Sequence, residues 1–81
     1  MVVTHVPTYD EVLDFLLSAP TPEQVIVFRP SEATQERVRY LLDGNRQGTL
    51  SAEEQAELEK FSQVEHFVRM LKIKAREKLA G

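Results

Sequence analysis

The fold is decided by the stretch Ala52-Glu53-Glu54-Gln55-Ala56-Glu57-Leu58-Glu59-Lys60-Phe61-Ser62-Gln63-Val64-Glu65-His66-Phe67-Val68-Arg69-Met70-Leu71-Lys72-Ile73-Lys74-Ala75-Arg76-Glu77-Lys78-Leu79, which contains neither Gly nor Pro. Helix formers dominate it, so it predicts one uninterrupted helix of about 28 residues, roughly 42 Å long. A compact chain of this length has a radius of gyration near 12 Å and is only about 30 Å across. The helix must therefore project from its neighbours or be covered by a partner. At about 100° per residue, Phe61, Val64, Phe67, Val68, Leu71, Ala75 and Leu79 fall within an arc of about 120°, the expected packing face. Glu57 and Glu53 occupy the same arc about one and two turns before Phe61, so packing is expected to begin near Phe61. Met70 and Ile73 lie outside the arc. A single packing face cannot absorb them, which points to a second interface.

Working outward, three segments carry the capping-box pattern of a hydroxyl followed three residues later by Glu or Gln: Thr8 to Glu11, Thr21 to Gln24 and Ser51 to Glu54. In that pattern the hydroxyl accepts from the third backbone N–H of the helix, and the acid or amide reaches back to the cap residue's own N–H. A first helix is predicted over Tyr9 to Ser18, with Tyr9, Val12, Leu13, Leu16 and Leu17 on one broad side and Phe15 widening it. The segment Glu23 to Phe28 is ambiguous: Val25-Ile26-Val27-Phe28 has strand propensity, but the capping box and Pro22 at the first helical position favour a short helix. Pro30 breaks the chain, Ser31 is placed to cap a third helix over Glu32 to Asp43, and Val38, Leu41 and Leu42 are its inward positions. Gly44 is the expected helix stop, with a loop from Asn45 to Leu50. A short β segment at Val2 to Val6 has little to pair with. The expectation is a single all-α domain over residues 1–81: an N-terminal extension over 1–7, a small bundle of short helices, and a long C-terminal helix over 51–79, three or four helices in all.

Composition narrows the functions. The 81 residues are 42% apolar and 28% charged, a globular balance. The absence of cysteine excludes disulfides, thiolate metal sites and thiol nucleophiles. Thirteen acids against ten bases give a formal charge of −3, so the chain is no general polyanion binder. The opening residues lack a signal-peptide pattern, and apolar runs of about four residues are far short of the roughly 20 that span a bilayer. A soluble cytoplasmic protein without a membrane segment is the expectation. Charge is nevertheless graded along the last helix. Glu53, Glu54, Glu57 and Glu59 crowd its start, and Arg69, Lys72, Lys74, Arg76 and Lys78 crowd its end, where Glu77 is the one opposing charge. This matches the helix dipole, and it would also suit an acidic partner.

The sharpest motif runs from Asp43 to Glu54. Asp43, Asn45, Gln47, Gly48, Leu50, Ser51 and Glu54 stand at positions 1, 3, 5, 6, 8, 9 and 12 of an EF-hand calcium loop, the weak metal candidates being Asp43, Asn45, Gln47 and Glu54. Against calcium, Arg46 brings a positive charge and no second hand is present. Helix-stop, turn and capping roles account for the same residues. No phosphate-cradling glycine loop, nucleophile elbow or histidine-based acid–base set is present, so neither catalytic residues nor a cofactor is assigned. Nucleic-acid binding by the chain alone is not expected: a seven-residue linker from Gly44 to Leu50 is too long for a helix-turn-helix, and Thr4 and His5 are thin material for a ribbon-helix-helix strand.

The runs Tyr9-Asp10-Glu11-Val12-Leu13-Asp14-Phe15-Leu16 and Pro20-Thr21-Pro22-Glu23-Gln24-Val25-Ile26-Val27-Phe28-Arg29-Pro30-Ser31-Glu32 resemble a family of short, mostly cyanobacterial helical proteins. Gly48-Thr49-Leu50-Ser51 and His66-Phe67-Val68-Arg69-Met70-Leu71-Lys72 extend the likeness to about 70 of the 81 residues. Members are often encoded beside small PIN- or HNH-type nucleases. The resemblance implies an antitoxin-like partner protein in a toxin–antitoxin pair. Its shared phrases are caps and core positions, so it transfers no catalytic residue. The function expected is thus a non-catalytic interaction module that occludes a small nuclease through the long helix, with Phe67, Met70, Leu71, Ile73 and Lys74 as contact residues. The alternatives are a homodimeric structural protein with no nuclease partner, and a single-site calcium binder.

Overall fold

Two of the three capping boxes are made. The Thr21 hydroxyl accepts from the Gln24 N–H at 3.2 Å while the Gln24 side chain accepts from the Thr21 N–H, and Ser51 and Glu54 form the same reciprocal pair. Together with Pro22 at its first position, the Thr21 box makes Val25 to Val27 helical despite their strand propensity. In this computed structural model, which describes residues 6–81, four helices follow in order: α1 (Thr8–Leu17), α2 (Pro22–Val27), α3 (Glu32–Gln47) and α4 (Ala52–Ala80). No strand occurs among the described residues. All but Val6 of the short segment expected over Val2 to Val6, the readings of Thr4 and His5, and most of the 1–7 extension lie outside them.

The third box is replaced by two long-range caps. Pro7, not Thr8, is the N-cap of α1, and Thr8 is its buried first residue. The Thr8 N–H, an orphan donor at a helix start, donates to Glu57 Oε2 on α4 at 3.0 Å. Glu11 turns away from its own helix start. It accepts from the Ser31 N–H at 2.9 Å and from the Ser31 and Thr34 hydroxyls at 3.1 and 2.7 Å. Ser31 caps α3, but the residue three positions on is Thr34, which cannot complete a box. Glu11 supplies the missing acceptor from α1 and so fastens the two helices together. Burial pushes the Glu11 carboxyl up, but the hydrogen bonds from Thr34 and Ser31 outweigh it and hold it below its ordinary value. A depressed carboxylate stabilises the fold above its unfolded pKa, and that contribution is lost as pH falls through the folded value. Urea midpoints are therefore expected to drop as pH falls below the ordinary carboxylate range, with a shallower drop in Glu11→Gln.

Helix α3 is longer than its sequence suggested. Gly44 does not stop it; the helix continues for another turn to Gln47 and ends at Gly48, which adopts the left-handed conformation at φ 72°. Gly44 is instead a buried contact: a Cβ there would collide with the Leu50 side chain, which folds back over it. The expected loop from Asn45 to Leu50 shrinks to four residues, Gly48 to Ser51. At the end of α1, Ala19 takes a left-handed φ of 56° without being glycine. Ala19→Gly relieves that strain and is expected to stabilise the chain by about 1 kcal/mol, read as a raised urea midpoint.

Helix α4 is the hub, with α1, α2 and α3 packed along one of its faces and α1 also touching α3. The dimensions, 46 × 32 × 18 Å with a radius of gyration of 14.6 Å, describe a slab two helices thick whose long axis matches α4. The expected all-α architecture, short N-terminal helices on a long C-terminal one, is thus present. Its core is Val12, Val25, Leu41, Leu58, Phe61, Val68 and Ala75, with Phe15 stacked on Phe28 at 4.1 Å beside it. Lys72 Nζ donates to the Phe28 carbonyl at 2.9 Å and ties the end of α2 to α4. Several inward assignments are corrected. Leu13, Leu17 and Leu42 are exposed, because a slab two helices thick covers one narrow stripe per helix. On α4 the packing begins not at Phe61 but a turn earlier, at Glu57 and Leu58.

Candidate functional site

The outward side of α4 is where apolar surface is left uncovered by the other described residues. The buried residues Phe61, Val68 and Ala75 define the inward direction at intervals of seven. Met70 and Ile73 lie roughly 140–160° away from it around the helix. They are 54% and 55% exposed, and Phe67, at the edge of the same strip, is 52% exposed. Phe67 was assigned to the packing face, but it sits at the margin of that arc and the short helices do not reach round to it. Leu79, in the last turn, is likewise half exposed.

Lys74 is exposed at the border of the strip, 3.8 Å from Glu77 Oε1. Arg69, also exposed, pairs with Glu65 one turn before it at 3.1 Å. Pairs this open to water contribute little to stability and leave their cations free to change partners. Leu71 differs from its neighbours: it is half-buried and lines a groove with Pro20, Pro22, Val25 and Ala75, turned toward α2. The strip therefore consists of Phe67, Met70 and Ile73 with Lys74 at its rim, and Leu71 belongs to the inner side.

A second constellation was not assigned from the sequence. Arg37 on α3 reaches Glu57 Oε1 at 3.1 Å and lies 4.0 Å from Glu54 Oε2, with its guanidinium 5.1 Å from the centre of the Tyr40 ring. The Tyr40 hydroxyl donates to Glu54 Oε2 at 2.9 Å. That hydrogen bond, and then the Glu54 charge, raise the Tyr40 phenol above its ordinary value. Glu54 is held below its own, first by the Ser51 N–H and then by Tyr40. The Arg37 and Tyr40 contacts to Glu54 and Glu57 join α3 to α4, and Thr8 joins α1 to α4 through Glu57, so the arrangement is a clamp between helices. Its one sequence signal was Glu57 standing in the apolar arc.

The EF-hand spacing does not become a cage. Asp43, Asn45 and Gln47 are on α3, and residues two apart on a helix point about 200° apart. Asp43 pairs with Arg46, Asn45 Oδ1 accepts from Gln55 Nε2 at 3.0 Å, and Glu54 closes the α4 cap. No group of three or more His, Cys, Asp or Glu side chains is placed to hold a metal among the described residues. The four-residue α3–α4 turn removes the linker-length objection to a helix-turn-helix. The helix that would enter the groove, however, begins with Glu53, Glu54, Glu57 and Glu59, which phosphates repel. No described helix is long and apolar enough to cross a membrane. Comparison with protein-family models, with curated proteins and with solved structures gave no match.

Proposed function

We propose that this chain is a non-catalytic protein-interaction module whose outer α4 strip docks into an apolar groove of a partner protein. The carrying observation is that Phe67, Met70 and Ile73 stand half exposed on the side of α4 facing away from its core. Spacings of three between them are those of an amphipathic helix laid in a groove. A run of exposed apolar side chains with a basic flank is a feature that interaction surfaces use and that a purely structural helix face does not require. The resemblance supplies a candidate partner, a small PIN- or HNH-type nuclease held in an antitoxin-like pair in the cytoplasm. Arg69, Lys74 and Arg76 beside the strip suit the acidic metal-binding carboxylates of such an enzyme.

Ile73→Asp tests this reading without touching the core, whereas the half-buried Leu71 would confound it. A tagged chain incubated with native cell extract is expected to retain a nuclease stoichiometrically, and Ile73→Asp to lose it while keeping its helical circular dichroism. Retention of the same protein by the variant would remove the strip from the account.

A second copy of the chain is the alternative occupant. With two α4 helices antiparallel about Met70, Phe67 faces Ile73 and Met70 faces Met70, which favours it. The flanks argue the other way, since His66 then faces Lys74 and Gln63 faces Glu77, giving no opposite-charge pair. Sedimentation velocity distinguishes the two. A monomer at micromolar concentration supports a foreign partner, and a dimer that Met70→Asp dissociates supports self-pairing.

A further inference from the structure

On the opposite side of α4 from the strip, a cleft of about 150 Å³ runs from the surface into the core. Val12 on α1, Phe61 and Val68 on α4, and Phe28 and Pro30 in the α2–α3 connection form its floor and walls. Three of these, Val12, Phe61 and Val68, are buried core residues, so the cleft is a gap in the packing itself. Its mouth is charged: Glu65, Arg69 and Lys72 line it. We propose that this cleft is a binding site for a small aromatic carboxylate, with the ring seated among the apolar side chains and the carboxylate at Lys72 and Arg69.

Size and charge both lead to that class. A cavity of this volume lined by aliphatic and aromatic side chains takes one benzene-sized ring. A purely apolar molecule would satisfy the floor and ignore the mouth, where two cations outnumber one acid. The cations have capacity to spare. Lys72 Nζ uses one of its three donors on the Phe28 carbonyl, and Arg69 uses one nitrogen on Glu65 Oε1. The half-buried Lys72 is held at the mouth by that backbone bond, so its position is set before any ligand arrives. The apolar part of the site is separate from the docking strip, because Phe61, Val68 and Lys72 lie on the other side of α4 from Met70; Arg69, one turn before Ile73, borders both.

Phenylacetate is a suitable probe and benzyl alcohol its neutral counterpart, each titrated into the full chain with methyl groups labelled for NMR. Saturable shifts at the Val12 and Val68 methyls are expected for both, with phenylacetate tighter by up to about fivefold, the range of a partly exposed ion pair. Lys72→Met, a change at the mouth that keeps the stem packed, is expected to abolish that preference while ring binding persists. Equal affinity for the two probes in the unaltered chain would overturn the carboxylate assignment. Shifts that fail to saturate, or that appear at Met70 and Ile73 instead, would overturn the site.

Discussion

Leu41→Ala is expected to destabilise the chain by about 3–4 kcal/mol, the cost of removing a leucine side chain that neighbours cannot collapse to replace. Leu41 has no exposed surface at all, the only large side chain of which this is true among the described residues. It sits at the centre of the inward stripe of α3, one turn after Arg37 and one turn before the buried Gly44. A chain of this length has only about 4–12 kcal/mol of total stability, so the loss is a large fraction of it. Urea unfolding followed by circular dichroism measures the change, and Leu42→Ala is the internal control. Leu42 is the next residue along but is half exposed, and its truncation is expected to cost less than about 1 kcal/mol. Equal effects at the two positions would contradict the rotational setting of α3.

Glu57→Ala is expected to cost about 2–3 kcal/mol, for a different reason. The Glu57 carboxylate is buried, and it accepts both the Thr8 N–H and the Arg37 guanidinium. Removing it leaves a helix-start donor without its acceptor and a partly buried cation with only the more distant Glu54, 4.0 Å away, as a charge partner. Arg37 retains 29% side-chain exposure, so water softens the second loss, which keeps the figure below that of a fully buried pair. Glu57→Gln retains an acceptor oxygen for Thr8 and is expected to cost about half as much. A double-mutant cycle with Arg37→Met separates the pair from the rest, and a coupling of about 1 kcal/mol or more is expected. Additive effects would show that Arg37 and Glu57 touch without holding α3 to α4.

These two residues mark what the sequence did and did not reveal. Leu41 was legible because an apolar residue in a helical stripe is inward by default. The helix starts at Thr21, Ser31 and Ser51 were legible because capping is local, settled within four residues. Glu57 was illegible because an acid in an apolar arc reads as the end of packing, whereas here the fold uses its charge to cap α1. Glu11 failed for the same cause: its pattern with Thr8 was local, but Ser31 on another helix, lacking a Glu or Gln three residues on, claims it. Gly44 was read as the stop and Gly48 as a turn residue, the reverse of what α3 does. The deciding fact, Leu50 lying against Gly44, is tertiary. For the candidate site, Met70 and Ile73 were visible as residues that one packing face could not absorb. The inward turn of Leu71 agrees with its place in the packing arc and not with its role as a contact residue, whereas the exposure of Phe67 follows from how narrow a stripe the N-terminal helices cover, which no periodicity reports.

The central claim is that the outer strip of α4 is a docking face, and methyl accessibility tests it most directly. Relaxation enhancement by a soluble paramagnetic agent is measured at the Met70 and Ile73 methyls, with Val12 and Val68 as buried references, in the dilute free chain and in the complex recovered from extract. The account predicts strong enhancement at Met70 and Ile73 in the free chain, falling toward the Val12 and Val68 values in the complex. Protection already present in the dilute free chain, or enhancement unchanged in the complex, would contradict it.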